Sequence, residues 1–409
     1  MRDSNEPIAL PTERTQLFGP ADELATLRRE QPLRRLRYTN GEVGWLVTSH
    51  ALAKAVLTDS RFGRGDREAG ERRSAIGDPA RLSEFEQALE PYGDWRPMRG
   101  FIMMDPPAHT SYRRLLAPYF TARAMQAFRP RIEQIVAERL DVLEREGPPA
   151  DLVSVVAAPV SLGSQCALLG VPAGEVERFF RLGTVLSDPA VPPTEAVAQW
   201  REAWEYVRAL TRQKRAQPAD DIISAIARHD ELNDEDIADT ALVLFQGGLE
   251  TTGDMLALGT FVLLQHPEQL EALRADPSLA ETAVEELLRY SGIFRLTARA
   301  ALEDINLNGT LVKAGETVTV SLAAANRDPD KFEHPDTLEL TRIATGHVAF
   351  AQGGHMCIGQ HLARIELQAG LTGLLQRFPT LRLAVPADEV PVYGPHLGNF
   401  GVHELPVAW

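Results

Sequence analysis

The stretch FAQGGHMCIGQHLAR, Phe350 to Arg364, sets a cysteine between a glycine-rich loop and the first turn of a helix. Cys357 is one of two cysteines in 409 residues, the other being Cys166, so no disulfide framework is available to explain it. At a helix start, free backbone N–H groups and the positive end of the dipole favour a thiolate. Gly353, Gly354 and Gly359 let the backbone come close to something flat or bulky. Several chemistries compete for such a sulfur. A buried, inert thiol needs nothing more. Zinc wants four ligands, and His355 and His361 are near without a second thiol. A nucleophile needs a histidine and an orienting acid from elsewhere in the chain. A c-type haem needs CxxCH, which is absent. A metal that brings its own equatorial ligands, as haem iron does, asks for one protein sulfur.

Further spacings could carry chemistry. VLFQGGLETTGDM places Glu250 and Thr251 just after Gly247 and Gly248. Thr251 lies four residues after Gly247, so on a helix its hydroxyl can take that carbonyl from the ladder and open a kink or groove. Beside two positions without side chains, such a groove could admit dioxygen and water. EELLRY sets Glu286 and Arg289 at i, i+3, a pair that is ordinarily exposed and worth little. MMDPPAHTSYRRLL supplies His109 and Arg113 at i, i+4, and TARAALED supplies Arg299. These read as surface charge unless a ligand brings carboxylates that need cationic partners.

The elements that must hold these groups are mostly helices. Ile132, Ile135, Val136, Leu140 and Leu143 recur at helical spacing, and similar patterns fill residues 171–290 and 358–378. Strands are expected at two places, RRLRYTNGEVGWLVT and DINLNGTLVKAGETVTVSL, each with an Asn-Gly turn (Asn40-Gly41 and Asn308-Gly309). The longest helix should begin after the N-cap Asn233, with Asp236 three residues on, and run to His266 before Pro267. Being apolar nearly all round, it must be central. Its polar interruptions keep it short of a membrane span. The formal charge of -15 disfavours nucleic acid and anionic membranes, and the basic run Leu27 to Arg37 reads as a solvated face. The N-terminus lacks an apolar signal core, so a reducing cytoplasm is the expected location.

Phe350, Gly353, His355, Cys357, Gly359 and Ala363 match FxxGxHxCxGxxxA, and on that motif the chain resembles the cytochrome P450 family, most of all its soluble bacterial members. The resemblance covers nearly the whole chain. It implies a single domain over 1–409, mainly α with small β-sheets (33–48, 293–322 and a C-terminal hairpin). It also implies haem b between the long central helix and the cysteine-loop helix. Cys357 would be the axial ligand, Phe350 would pack beside it, and Gly353 and Gly359 would shape the loop. His109, Arg113, Arg299 and His355 would meet the propionates. Gly247, Gly248, Glu250 and Thr251 match the family's oxygen-side motif, with Gly247 where alanine is common. Thr251 would serve the dioxygen and Glu250 the proton relay. Glu286, Arg289 and Arg342 would form a buried network under the cysteine loop.

The activity so implied is insertion of one oxygen atom from O2 into a C–H or C=C bond of a medium-to-large apolar natural product, such as a polyketide, terpenoid or carrier-bound peptide. Electrons would come from a ferredoxin or flavodoxin with an NAD(P)H reductase, docking where Arg114, Arg123 or Arg364 offers charge. A peroxide-driven relative and a catalytically silent, partner-stabilising relative are the competing readings. The substrate walls would be the segment from Arg61 to Phe101, SDPAVPPTE, SGIFRL and GPHLGNFGVHEL, with Gln246, Phe294, Leu296 and Phe400 facing substrate.

Overall fold

The structure is a computed structural model that describes residues 6–65, 79–96, 100–184, 191–392 and 400–409. Parts of the expected substrate walls, at 66–78, 97–99, 185–190 and 393–399, lie outside the described residues. The helices are α1 (Asp22–Glu30), α2 (His50–Thr58), α3 (Pro79–Leu89), α4 (Ala108–Leu116), α5 (Ala122–Glu146), α6 (Ala158–Leu169), α7 (Val176–Thr184) and α8 (Pro193–Ala216). They continue as α9 (Ile222–Ile226), α10 (Asp234–Leu249), α11 (Thr251–Leu264), α12 (Pro267–Ala275), α13 (Ala280–Ser291), α14 (Leu322–Ala325) and α15 (Gln360–Arg377).

The stripe Ile132, Ile135, Val136, Leu140 and Leu143 is the buried face of α5, which packs along α15. In α11, eleven of fourteen residues are buried, as a helix apolar all round requires. It sits against α6, α13 and α15 at the centre of the largest core cluster. No helix among the described residues is long and apolar enough to cross a membrane.

The expected long helix starts where its cap predicts: Asn233 and Asp236 form a reciprocal capping box. It is not continuous, however. It breaks at Glu250 (φ −99°, ψ −40°) into α10 and α11, and ends at Leu264. The reason is local competition for carbonyls. Thr251 Oγ1 donates to Gly247 O at 2.7 Å and Ser161 Oγ donates to Gly248 O, so side chains occupy two consecutive rungs of the ladder.

Strands β1 (Ile8–Ala9), β2 (Leu33–Arg37), β3 (Val43–Val47), β4 (Phe62–Gly63), β6 (Leu296–Ala301) and β9 (Thr317–Ser321) form one sheet in the order β1-β2-β3-β9-β6-β4. Pairs β1/β2 and β3/β9 are parallel and the rest antiparallel. β7 (Ile305–Leu307) and β8 (Thr310–Val312) form the hairpin around Asn308 (φ 52°) and Gly309 (φ 81°), both left-handed as its tight turn requires. β5 (Ala150–Asp151), β10 (Arg382–Leu383) and β11 (Pro406–Ala408) make a small third sheet. Of the expected C-terminal hairpin, the described residues show the antiparallel bridge Val392–Val402. The basic run is spent within the fold: Arg28 donates to Ala324 O, Arg34 to Gln31 and Glu6 O, and Arg35 pairs with Glu316.

Glu286 and Arg289, at i, i+3 on α13, are fully buried and bidentate, with Nε–Oε2 2.7 Å and Nη2–Oε1 2.8 Å. Arg342 closes on the same carboxylate at 3.1 Å. Arg289 also donates to the carbonyls of Asn326 and Pro335, and Glu339 N donates to Glu286, so the network staples the long meander after α14 onto α13. Glu286→Ala would leave the fully buried Arg289 guanidinium without its acid, and Arg342 with Glu339 alone, and should destabilise the protein by about 3–5 kcal/mol. A urea midpoint would report this. Replacing Glu286 and Arg289 together by leucine should cost less than the single change.

Candidate active site

The cysteine loop is built to stay in place. Cys357 N donates to Phe350 O at 2.9 Å, Met356 N to Gly353 O at 3.1 Å, and Arg113 Nη2 on α4 to Met356 O at 2.6 Å. Gly353 has φ 75°, and a Cβ there would overlap the Leu57 carbonyl at the end of α2, so this position needs glycine twice over. Phe350 lies under the Arg364 guanidinium, 4.7 Å from its ring centre.

Cys357 lies three residues ahead of α15, whose N-cap is Gly359. The helix-end N–H of Gly359 favours the thiolate, as its position leads one to expect, but does not decide the balance. Burial pushes the thiol up, and this outweighs the Gly359 N–H, Arg113 and Arg364, which act the other way. Cys357 is surrounded by protein and yet exposed, so it lines a cleft or cavity and not the packed core. A Cβ at Gly359 or at Gly247 would meet nothing within 4 Å, which marks open space there too. At Gly248 the opposite holds, since a Cβ would overlap the Gln165 amide.

Positive groups gather beside the loop. The His109 and His355 rings lie 4.1 Å apart. Burial first, then Arg64, His109, Arg299 and Arg113, hold His355 down at about 3. His109 is lowered by burial, Arg113 and Arg64, against Asp105. Asp105 is itself engaged by the backbone N–H groups of Arg64 and Gly65 at 2.7 and 2.8 Å. Arg299 is buried and donates to Ala298 O at 2.9 Å.

The residues present fit a haem. They offer one sulfur whose thiolate wants a cation, internal space at two glycines, and buried cations that want carboxylates. Among the described residues no group of three His, Cys, Asp or Glu side chains gathers that could hold a metal on protein ligands alone.

Arg64 was not anticipated from sequence. Its Nε is buried without a hydrogen-bond partner, and the signal available was only an arginine between glycines in FGRG. Glu366 was also missed, although it occupies the buried stripe Leu362, Glu366, Ala369 of α15. Its side chain is fully buried, neither oxygen has a hydrogen-bond partner, and Ser164 and Thr252 lie alongside. Of the residues expected at the substrate, Gln246 and Leu296 are half-buried and Phe294 is 41% exposed. Phe400 is buried, its ring covered by Arg14 and Arg295. The structure brings His109, Arg113, Arg299 and His355 together, and keeps Glu250 and Thr251 at the helix break.

A family described as Cytochrome P450 matches residues 199–391. The chain is 44% identical to "Cytochrome P450 105C1" of Streptomyces sp, over 98% of this chain and 99% of that protein. It is 43% identical to "Nocardicin C N-oxygenase" of Nocardia uniformis subsp. tsuyamanensis, over 94% of each. Among solved structures, CYP105P1 in complex with filipin I superposes with a TM-score of 0.87 at 36% identity, over 99% of both chains. The mycinamicin VIII C21 methyl hydroxylase MycCI of Micromonospora griseorubida superposes with a TM-score of 0.86 at 32% identity, over 98% of this chain and 100% of that one.

Burial raises the Glu366 carboxyl from its ordinary 4.5 to about 8. Between those values the unfolded chain releases a proton that the native chain keeps, so stability falls as pH rises, by ~1.4 kcal/mol per unit at full slope. Glu366→Gln should therefore match the wild type near pH 4 and exceed it increasingly toward pH 8, read from urea midpoints at each pH. Parallel curves would mean that the fold holds Glu366 ionised.

Proposed function

The chain belongs to the cytochrome P450 family and is a monooxygenase with a haem cofactor, and from that premise we propose that Cys357 holds the iron of haem b through its thiolate, with Thr251 and Glu250 managing protons on the oxygen side. The observation that carries this reading is Cys357, surrounded by protein yet exposed, with Arg113 and Arg364 beside it. An iron cation would reverse the balance that keeps the free thiol protonated. Phe350 would pack beside it, while Gly353, Gly359, Gly247 and Gly248 would shape the faces against the ring. His109, Arg113, Arg299 and His355 would meet the two propionates, the arginines as cations and the histidines as hydrogen-bond donors, and Arg64 would add a further cation.

When bound, the haem supplies binding and reductive activation of dioxygen. The chain's own part is orientation and proton supply. Thr251 Oγ1 is held by Gly247 O at 2.7 Å, so the hydroxyl stands at the edge of the open space at Gly247 with lone pairs available to accept. Glu250, at the helix break, would pass protons to it. Gln246, Phe294 and Leu296 would line the substrate's place, with Phe400 behind them. Relatives named for oxygenation of nocardicin C and hydroxylation of mycinamicins support a natural-product substrate, medium-to-large and mostly apolar.

The redox partner would be a ferredoxin or flavodoxin with an NAD(P)H reductase, in a cytoplasmic setting. Arg114 and Arg123 are exposed and make no ion pair among the described residues. Arg364, expected to share in docking, is already neutralised by Glu285 at 2.5 and 3.0 Å.

Cys357→His should abolish the thiolate-type spectrum of the reduced carbon monoxide adduct while retaining bound haem. Thr251→Ala should keep that spectrum and consume reductant, yet lower product per reductant by ~10-fold or more, within the range for a lost proton donor. Unchanged coupling would remove Thr251 from the mechanism.

A further inference from the structure

Two arginines lie behind the proposed substrate wall with no acid to answer them. The guanidinium carbons of Arg14 and Arg295 stand 4.5 and 4.0 Å from the centre of the Phe400 ring. Neither makes an ion pair among the described residues. Arg295 gives one nitrogen to Gly19 O at 2.5 Å, and its Nε and Nη2 are buried with no hydrogen-bond partner. Burial, then the like charges of Arg14 and Arg327, bring Arg295 down to about 9, which leaves it cationic at neutral pH. Arg14 is lowered by burial as well. Contact with an aromatic face offsets part of this desolvation but supplies no hydrogen bonds.

Such an arrangement is unfavourable for stability alone, because a buried cation without a counter-charge is costly. It becomes favourable when an anion enters. A recess of about 50 Å³ lies there, lined by Arg14, Arg295, Thr12, Leu10, Pro11 and Leu296. One water needs roughly 10–15 Å³ on that measure, so the recess accepts a group of three or four heavy atoms, such as a carboxylate. Its apolar lining suits a ligand whose remainder is hydrocarbon.

Direction follows from strand geometry. Arg295 precedes β6 by one residue, and Arg299 lies on it. Carrying the strand's alternation one residue back to Arg295 would put the two on a common face, ~13 Å from one another. Arg299 belongs to the cluster beside His355. An anion at Arg295 would therefore sit on the face of the strand that looks toward the proposed haem site, about 10–15 Å along it.

We propose that Arg14 and Arg295 form a subsite for the carboxylate of an otherwise apolar substrate, remote from the carbon that is oxidised. This rests on the monooxygenase site proposed above and narrows its substrate class to molecules with one anionic end. The same pair could instead take a free inorganic anion.

Titration calorimetry on the haem-loaded protein separates the outcomes, with dodecanoate, its methyl ester and inorganic phosphate as probes. Dodecanoate should bind at least tenfold more tightly than the ester. Arg295→Gln and Arg14→Gln should each reduce that preference to threefold or less, and Arg295→Lys should retain more of it than Arg295→Gln. Phosphate that competes with dodecanoate would show that the pair also takes free anions. Phosphate without effect would assign it to the substrate's own carboxylate. No preference for the acid in the wild type, whether both compounds bind alike or neither binds, overturns the subsite, as does a preference that survives both glutamine variants. The carbon monoxide spectrum of each variant is read in parallel, so a failure of the haem-thiolate site shows there and not in the acid-to-ester ratio.

Discussion

Burial opposes ionisation of the Cys357 sulfur, and on the proposed reading, in which that sulfur binds iron as a thiolate, much of the molecule answers that conflict. Cys357 is deep enough for its thiol to be favoured over its thiolate. Helix-end N–H groups and two arginines lean the other way without winning. The loop therefore has to be rigid, so that an incoming cation finds the sulfur already in position. Rigidity comes from outside it. Arg113 holds the Met356 carbonyl, α2 closes on Gly353, and Glu285 fixes Arg364 above Phe350. Beneath, Glu286, Arg289 and Arg342 tie α13 to the meander that delivers the loop.

The helix break, proposed as the oxygen side, works by a different device, the removal of backbone hydrogen bonds. An unbroken helix from Asn233 to Leu264 would present a closed cylinder. Thr251 and Ser161 occupy the carbonyls of Gly247 and Gly248, and the helix parts at Glu250. The two glycines are not equivalent. Gly247 faces open space, whereas Gly248 is the contact that lets Gln165 and α6 approach. On the proposed reading the first would serve a ligand, while the second serves the packing against α6. The polar neighbours Ser164, Thr252 and Glu366 continue inward from there, a set that the apolar core would not tolerate without function or compensation.

What could be read in the sequence was whatever depends on short spacing. The cysteine loop, the capping box at Asn233, both Asn-Gly turns and the partition into helices and small sheets follow from neighbours within a few residues. The resemblance to the cytochrome P450 family extended that to the fold. The helix break was half legible: Thr251 at i+4 from Gly247 announced one lost rung, but Ser161 lies 87 positions from the second. The same distance hid Arg64, which acquires meaning only beside His109 and His355, and Arg295, which acquires it only beside Arg14 and Phe400. The raised Cys357 thiol was illegible in principle, because desolvation is a property of the whole surround and not of a helix end. The pairing of Arg364 with Glu285 was likewise invisible, since the two lie 79 positions apart.

The sign of the charge inside differs from the sign outside. Over its whole length the protein carries a formal charge of -15, yet the charged groups gathered around His355 are the cations Arg64, Arg113 and Arg299, and Arg14 and Arg295 meet at the Phe400 ring. Long-range attraction cannot bring an anion to such a surface, but salt limits the surface field to about 8 Å at physiological ionic strength. Within that distance, desolvated guanidinium groups prevail, because their hydrogen bonds cannot be supplied by bulk water. A protein arranged this way would repel polyanions from its exterior and, on the proposed readings, still receive single carboxylates that arrive on apolar bodies. That selection suits both a ring with two propionates and a substrate with one charged end.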